Sequence, residues 1–544
     1  MKFVIRVLLF LLLSINVFSQ MENVQVAHPV YNFLIHAETK GLLPHFSSSF
    51  LPLQRIEIIE ALKTIRKSSE LLSTTEKKEL ELFETEFEIS ERKNAVVIYS
   101  STDSVQVLSS RFFSDNEKFI YRFNNNSTNV NIVPLGSIEG LYLKNKSGTN
   151  NVLFGNLGVR LHGTIANSLG YYLQATNGAI LSGDKLLAKN EINKLRQNVK
   201  FSLLNSDFDF SESHVNFRKD WFFAGIGRET RLFGSGIQNR ILFSDNAPPF
   251  DAIILAAKFS NFQYTFMHGS LISTVPVNSP DIGIGAIIPA KYITVHRFAL
   301  KPEWGEIAFW ETIIYSKRNV DLTYLNPLSF LKSMEHALHD RDNSVMGGDI
   351  TLRPLNNFQI KGSFFLDDIK FDEIGKKYWS NKTAWNLGLS YVSPFNIDFG
   401  IEYARVEPYT FSHFDTLNSF TNDGFILGSR LLPNSDEISF VAQWWWGNRY
   451  PLTLKISCQR HGNNIYENGI LTFNAGADPL QTRRSEDSWT ANFLDGIRQN
   501  TFKVQLETGW EIVRGFNLQC VYQFRNTDTK PDHIIHLVFR YEDF

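Results

Sequence analysis

From about residue 117 to the end, apolar and polar residues alternate with a period of two. In FNIDFGIEYAR (395 to 405), Phe395, Ile397, Phe399, Ile401 and Tyr403 are separated by Asn396, Asp398, Gly400 and Glu402, as expected of a strand with one apolar and one wet face. TAWNLGLSY just before it puts Trp385, Leu387, Leu389 and Tyr391 on one face, and the intervening VSP predicts a tight hairpin. The alternation recurs in FQIKGSFFLD (358 to 367), FKVQLETGW (502 to 510), FNLQCVYQF (516 to 524) and IHLVFRY (535 to 541).

Residues 29 to 91 keep another rhythm. In PLQRIEIIEALKTI, Leu53, Ile56, Ile59, Leu62 and Ile65 fall near helical spacing, with Pro52 at the helix start. In STTEKKELELFETEF, Ser73 and Glu76 match a capping box, and Leu80, Phe83 and Phe87 form one narrow apolar stripe on a charged helix. Helices this short and polar need a larger body to rest on.

Connection lengths set the architecture. Tight turns alternate with long connections such as 405 to 422 and 460 to 500, the asymmetry of a barrel with short periplasmic turns and large external loops. Roughly 430 residues at about 24 per strand and connection give about 18 strands, within about 16 to 20. The expected fold is all-β, an antiparallel transmembrane outer-membrane β-barrel preceded by a small α-helical bundle. Closure pairs every strand N–H and C=O, so such a barrel can stand in lipid. Lys361, Asp398, Glu402, Lys503, Gln505 and Glu507 would line its lumen, and Trp444 to Trp446 reads as part of an interfacial girdle. The terminal Phe544 is an aromatic end common in outer-membrane barrels.

At the start, Lys2 and Arg6 precede an apolar run from Val7 to Leu13, with Val17 and Ser19 where a signal peptidase reads. Residues 1 to 19 are therefore expected to be an export signal, 20 to 116 a mainly helical periplasmic region, and 117 to 544 the barrel. The longest later apolar run, AIILAA at Ala252 to Ala257, is far short of a membrane helix. An aromatic content of 14% and a net charge of −2 suit an exported barrel and argue against a nucleic-acid partner. Cys458 and Cys520 sit in apolar registers and read as small hydrophobes, with a single bridge between them left open.

Four stretches hold more charge, aromatic and turn residues than strands require. The first is GIGRETRLFGSG (225 to 236) followed by SDNAPPFD (244 to 251), with Arg228, Glu229, Arg231, Asp245, Asn246 and Asp251. It is expected to be irregular backbone at one rim or inside the lumen, and only an inward fold would let Arg228 and Arg231 meet a ligand there. The second runs from His296 and Arg297 through Glu311 to YLNP (324 to 327). The third holds Asp342, Asn343, Asp349, Asp367 and Asp368, and the fourth Glu407, Tyr409, His413 and Arg460. Sugars offer C–H faces to aromatic rings and hydroxyls to planar bidentate partners, and an acidic polysaccharide would use the arginines. Structural charge networks inside a barrel draw on the same residue types, so both readings stand at this point. No GxSxG or HExxH occurs, and the adjacent Asp367 and Asp368 point to opposite strand faces, so catalysis is not expected.

The order GIGRETRLFGSG, LFSDNAPPFD, HRFAL, YLNPLSF, DN, FFLDD and VEPYTFSH resembles the capsule assembly Wzi family of outer-membrane proteins, particularly its Bacteroidetes members. HPVYNFLIHAETKGLLP and PLQRIEIIEAL fit that family's helical start. The resemblance implies an 18-stranded barrel in the outer membrane of a Gram-negative bacterium, with the bundle on the periplasmic side. It implies a non-catalytic, lectin-like role in holding capsular polysaccharide or exopolysaccharide, without a cofactor or metal. Outer-membrane lipid and the capsule export machinery are the other implied partners. By motif it points to Arg228, Ser244, Asn246, Pro248, Asp251, Arg297, Glu311, Asn326, Pro327, Asp342, Asn343, Asp367, Asp368, Glu407, Tyr409 and His413. The rival function is a channel for sugars or other solutes, suggested by the polar lumen face.

Overall fold

The computed structural model describes residues 20–87, 96–100, 113, 117–125, 127–189, 207–274, 288–339 and 341–542. The export signal expected at residues 1 to 19 and the terminal Phe544 lie outside the described residues.

Three helices open the chain: α1 (Val30–Lys40), α2 (Arg55–Lys67) and α3 (Thr74–Glu86). Ser73 caps α3 as expected, its side chain accepting from Glu76 N while Glu76 returns a bond to the Ser73 N–H. α2 starts later than its proline suggested, because Gln54 and Glu57 form a second capping box there. Gly41, at φ +85°, ends α1 in the left-handed region that glycine tolerates. Phe33, Leu34, Ile58, Leu62, Ile65, Leu80, Phe83 and Phe87 bury together, so the narrow stripe on α3 is the bundle's core face.

The barrel strands in chain order are β1 (Asn129–Asn145), β2 (Gly148–Ile165), β3 (Leu169–Gly183), β4 (Asp207–Lys219), β5 (Phe222–Glu229) and β6 (Phe250–Phe259). Next come β7 (Phe262–Leu271), β8 (Lys291–Leu300), β9 (Gly305–Ser316), β10 (Asn343–Leu355), β11 (Phe358–Asp368) and β12 (Lys382–Val392). The last six are β13 (Ile397–Val406), β14 (Ser435–Trp444), β15 (Leu452–Asn463), β16 (Ile497–Val513), β17 (Phe516–Thr527) and β18 (Lys530–Tyr541). Each pairs antiparallel with the next, and β18 closes on β1 through registers such as Leu537 with Gly140, giving a closed 18-stranded barrel. Outward side chains such as Ile226, Ile253, Leu387, Ile401, Leu506 and Leu537 are exposed and apolar, ready for lipid. Cys458 and Cys520 are free thiols.

One barrel end carries only short connections, and the loop asymmetry makes it the periplasmic end. Trp221, Phe259, Trp304, Phe395, Trp444, Trp446 and Trp510 are exposed around it, as an interfacial girdle requires. Trp445 departs from that expectation. It is fully buried, lies edge-on to Phe33, and its indole N–H donates to Asp398 at 2.8 Å, so it joins the bundle instead of the girdle.

Residues 20 to 87 reach all eight short connections. Thr164, near the β2–β3 turn, contacts Met21 and Glu22, and Arg218 of β4 donates to Gln54 at 2.9 Å. Lys258 of β6 pairs with Glu57, His45 hydrogen-bonds Lys301 O at 2.7 Å, and Arg353 donates to Phe46 O at 3.2 Å. Ser73 donates to Asn396 at 2.7 Å, Gly447 N donates to Glu79 at 3.0 Å, and Arg514 pairs with Glu86 at 2.9 Å. The bundle is thus stitched round the whole periplasmic mouth.

That docking depends on pH. His36 is fully buried, which opposes its charge, but the Asp398 carboxylate at 2.8 Å and the Glu76 carboxylate at 2.7 Å outweigh burial and raise its pKa to about 9. The docked chain then keeps a proton that a released bundle gives up near pH 6.5. This stabilisation is complete below about pH 6.5 and is lost as pH rises to about 9. Burial also raises Glu79 to about 8, so the docked chain holds a second proton that a released bundle gives up near pH 4.5, and this contribution fades earlier, from about pH 4.5 to about 8. Hydrogen exchange in α1 and α3, corrected for its intrinsic base catalysis, is expected to quicken between about pH 6.5 and about pH 9 in the wild type. The effect should shrink in His36→Phe; equal acceleration in both proteins would contradict it.

Candidate functional site

Two long external connections fold back into the lumen. In the first, 230 to 249, Leu232 and Phe233 pair with Leu51 and Phe50 of the N-terminal region, and Ser235 N donates to Ser363 Oγ at 3.0 Å. The N–H groups of Ile237, Gln238 and Asn239 converge on the Glu402 carboxylate of β13 at 2.5, 3.3 and 2.8 Å. Ile237 lies on Gly388 and Gly400, where a Cβ would stand 2.7 and 3.1 Å from its side chain, so those wall glycines make the close approach possible. Phe243 and Leu242 then pack with Phe411, Phe420 and Leu427 of the second connection, 407 to 434, against Met267, Ile293, Trp310 and Phe365 of the wall. The glycine-punctuated stretch after β5 therefore does fold inward, and it builds an apolar core inside the β6–β13 half of the barrel.

Most of the residues singled out in the sequence serve this architecture. Glu229 accepts from Asn23 at 3.0 Å, Arg231 donates to Phe250 O at 3.0 Å, and Asn246 donates to Ile426 O at 2.7 Å. Arg297 is buried against Glu306 at 2.5 Å, beside Phe50. Arg228 faces outward and pairs with Asp251 at 3.0 Å, so the inward fold of its neighbours does not carry it to the lumen. Glu311 pairs with His296 at 3.1 Å, Asp342 with Arg318 at 2.6 Å, and Asn343 donates to Asn418 O at 2.9 Å. Asp367 is buried and accepts from Phe411 N at 2.7 Å, while its neighbour Asp368 bonds Ile369 N at 2.9 Å on the exposed side. Glu407 holds Arg405 at 2.6 Å, Arg460 holds Asp436 at 2.9 Å, and His413 contacts Asp415 N at 3.2 Å. Asp245 pairs with Arg430 at 2.6 Å on the exposed external surface. The candidate residues are thus scattered, each with partners inside the chain.

A different constellation forms where the external connections 369 to 381 and 464 to 496 meet. Trp379 N donates to Trp489 O at 3.1 Å and Ala491 N to Lys377 O at 2.9 Å, lacing the two loops together. Tyr378 and Trp489 stack with centroids 6.2 Å apart at 6°, and Trp379 meets Tyr409 edge-on at 5.7 Å. The Arg483 guanidinium lies 4.0 Å over Trp489 and 5.7 Å from Trp379. It donates to the backbone carbonyls of Ser488 and Asp487 and makes no ion pair among the described residues. Lys376, which pairs with Glu373 at 3.4 Å, and Lys377 are exposed on the same loop as Trp379, and Trp489 is 60% exposed. The Trp379 indole N–H is buried with no acceptor in the described chain. Flat aromatic faces, an unneutralised guanidinium and a spare donor suit an anionic sugar.

Of the residues singled out in the sequence, Tyr409 alone joins this patch. KKYW (376 to 379) and RRSEDSW (483 to 489) carry the missed signal, basic pairs followed by tryptophan in long external loops.

The family model for capsule assembly protein Wzi matches residues 105–530. Among solved structures, Wzi, an outer membrane protein involved in group 1 capsule assembly in Escherichia coli and described as a carbohydrate-binding beta-barrel, is 11% identical, with a TM-score of 0.58 over 95% of this chain and 98% of its own. Pseudomonas aeruginosa OccK8 (OprE) is 8% identical, with a TM-score of 0.44 over 76% of this chain and 97% of its own. Pseudomonas aeruginosa OccD3 (OpdP) is 10% identical, with a TM-score of 0.39 over 75% of this chain and 91% of its own. No curated protein matches the sequence.

Proposed function

The chain belongs to the capsule assembly protein Wzi family, whose barrels stand in the outer membrane of Gram-negative bacteria, and from that premise we propose that it holds acidic surface polysaccharide at the cell's outer face without cleaving it. The contact surface is the external patch of Tyr378, Trp379, Arg483 and Trp489. The observation that carries this is Arg483 lying on Trp489 with no carboxylate of its own among the described residues. A buried or half-buried cation is ordinarily paired, so an unpaired one on an aromatic shelf is set up for an incoming anion. What favours holding over solute conduction is the bundle's attachment to every periplasmic turn and the apolar core within the lumen.

The test compares cells with and without the gene. Loss of the gene should lower cell-bound acidic polysaccharide and raise free polymer in the medium, with total polymer unchanged. A cell-bound amount that stays constant would sink the proposal.

A further inference from the structure

The external connection that follows β9, described over residues 317 to 339, turns outward instead of inward. Tyr324 and Leu331 are fully buried against Ile313 and Tyr315, with Tyr292, Met334 and Leu338 beside them. Ile313 and Tyr315 continue the outward face of Ile307 and Phe309, whereas Trp310 and Ile314 belong to the lumen core. This connection therefore lies on the outer wall of β7–β9, where lipid covers the rest of the barrel.

Its depth follows from two bonds. Leu331 N donates to Glu311 at 3.1 Å, and the Tyr264 hydroxyl donates to Pro327 O. Glu311 stands six residues above the periplasmic end of β9 at Gly305. At ~3.3 Å per residue and a tilt of about 40° that is about 15 Å up an apolar band about 25 Å tall. On the side away from the barrel, Leu322, Leu328 and Phe330 are 79%, 89% and 49% exposed.

Polar backbone cannot face hydrocarbon unpaired, and at the turns of this segment side chains and backbone supply partners. Asp321 Oδ1 accepts from Thr323 N at 3.0 Å, and Asn326 Oδ1 accepts from Leu328 N at 3.1 Å. Asn326 O accepts from Ser329 N at 3.1 Å, and Pro327 has no N–H to satisfy. Beneath the segment, the His296–Glu311 pair points away from the lumen and would otherwise meet the bilayer directly. On the returning leg Lys332 is neutralised by Glu335 at 2.7 Å.

We propose that residues 322 to 330 are embedded in the outer membrane as a lipid-facing hairpin, with Leu322, Leu328 and Phe330 in contact with its acyl chains. Glu311, Asn326 and Pro327 then serve to satisfy this segment's backbone, and the segment seals the His296–Glu311 pair from lipid. This stands independently of which ligand the external patch takes.

The test places a bimane label at Leu328→Cys, and separately at Phe330→Cys, in full-length protein with Cys458 and Cys520 replaced by serine. The protein is reconstituted in vesicles of phosphatidylcholine with or without brominated acyl chains. A label at Leu387→Cys, on the bare outward wall, gives the reference for lipid contact. Bromolipid should quench both hairpin labels as strongly as the reference, and aqueous iodide should leave them bright. Quenching by iodide would place the segment in water and overturn the proposal. Quenching by neither would show it covered by protein, such as a second copy, and would overturn it equally. Loss of heat-modifiable migration identifies a misfolded variant, and the other labelled position then decides.

Discussion

Alanine at both Arg483 and Trp489 should reduce the cell-bound acidic polysaccharide of otherwise unaltered cells while leaving the barrel folded. The guanidinium sits 4.0 Å over the indole and spends its N–H groups only on backbone carbonyls. A charge-assisted hydrogen bond contributes about 1.5–3 kcal/mol and an aromatic contact about 0.5–1.5 kcal/mol, so the pair should weaken binding on the order of 30-fold or more. Arg483→Lys keeps the charge but loses the planar fork, and it should fall between wild type and the double variant. Measured on whole cells, retention should drop in that order while free polymer rises. Equal retention in all three strains would remove the patch from the account.

Glu402→Ala should release the inward loop. The carboxylate takes three backbone N–H groups and the Asn239 side chain, all in the barrel interior. Removing it strands those donors at about 1–3 kcal/mol each, less whatever water can enter to meet them. Ile237 would then leave its seat on Gly388 and Gly400, and Arg240, which donates to Ser48 O at 2.9 Å and Gly234 O at 2.8 Å, would become reachable. Trypsin should cut after Arg240 in the folded variant in detergent and spare the wild type. Glu402→Gln, which keeps one acceptor oxygen, should be cut more slowly than the alanine variant.

The barrel was legible because lipid imposes one simple rule on the chain, apolar outward and paired everywhere. In 395 to 405 that rule leaves Phe399 and Ile401 on the outside and Asp398 and Glu402 on the inside, as the structure shows. The AIILAA run is apolar on both faces because Ile253 faces lipid while Ala252 and Ile254 pack against the folded-in loops. Capping boxes are local in sequence, and Ser73 with Glu76 was readable for that reason.

Pairing across long separations was not readable. The sequence sees Arg228, Asp251, Arg297 and Glu311 beside aromatic residues, but it does not tell a cation spent on a neighbour from one left for a ligand. Tyr378 and Trp489 stack from loops more than a hundred residues apart, so no local motif announces them. Trp445 shows the same limit. Its neighbours Trp444 and Trp446 are exposed at the rim, and only contact with Phe33 and His36 of the bundle draws it inside.

The most direct measurement is equilibrium binding of a size-defined acidic capsular oligosaccharide to the purified protein in detergent, with the oligosaccharide's chain length determined before and after. Saturable binding that weakens with added salt, collapses in the Arg483→Ala, Trp489→Ala double variant and leaves the chain length unchanged is the predicted result. Binding untouched by that double variant, or shortening of the oligosaccharide by the wild-type protein, would contradict it.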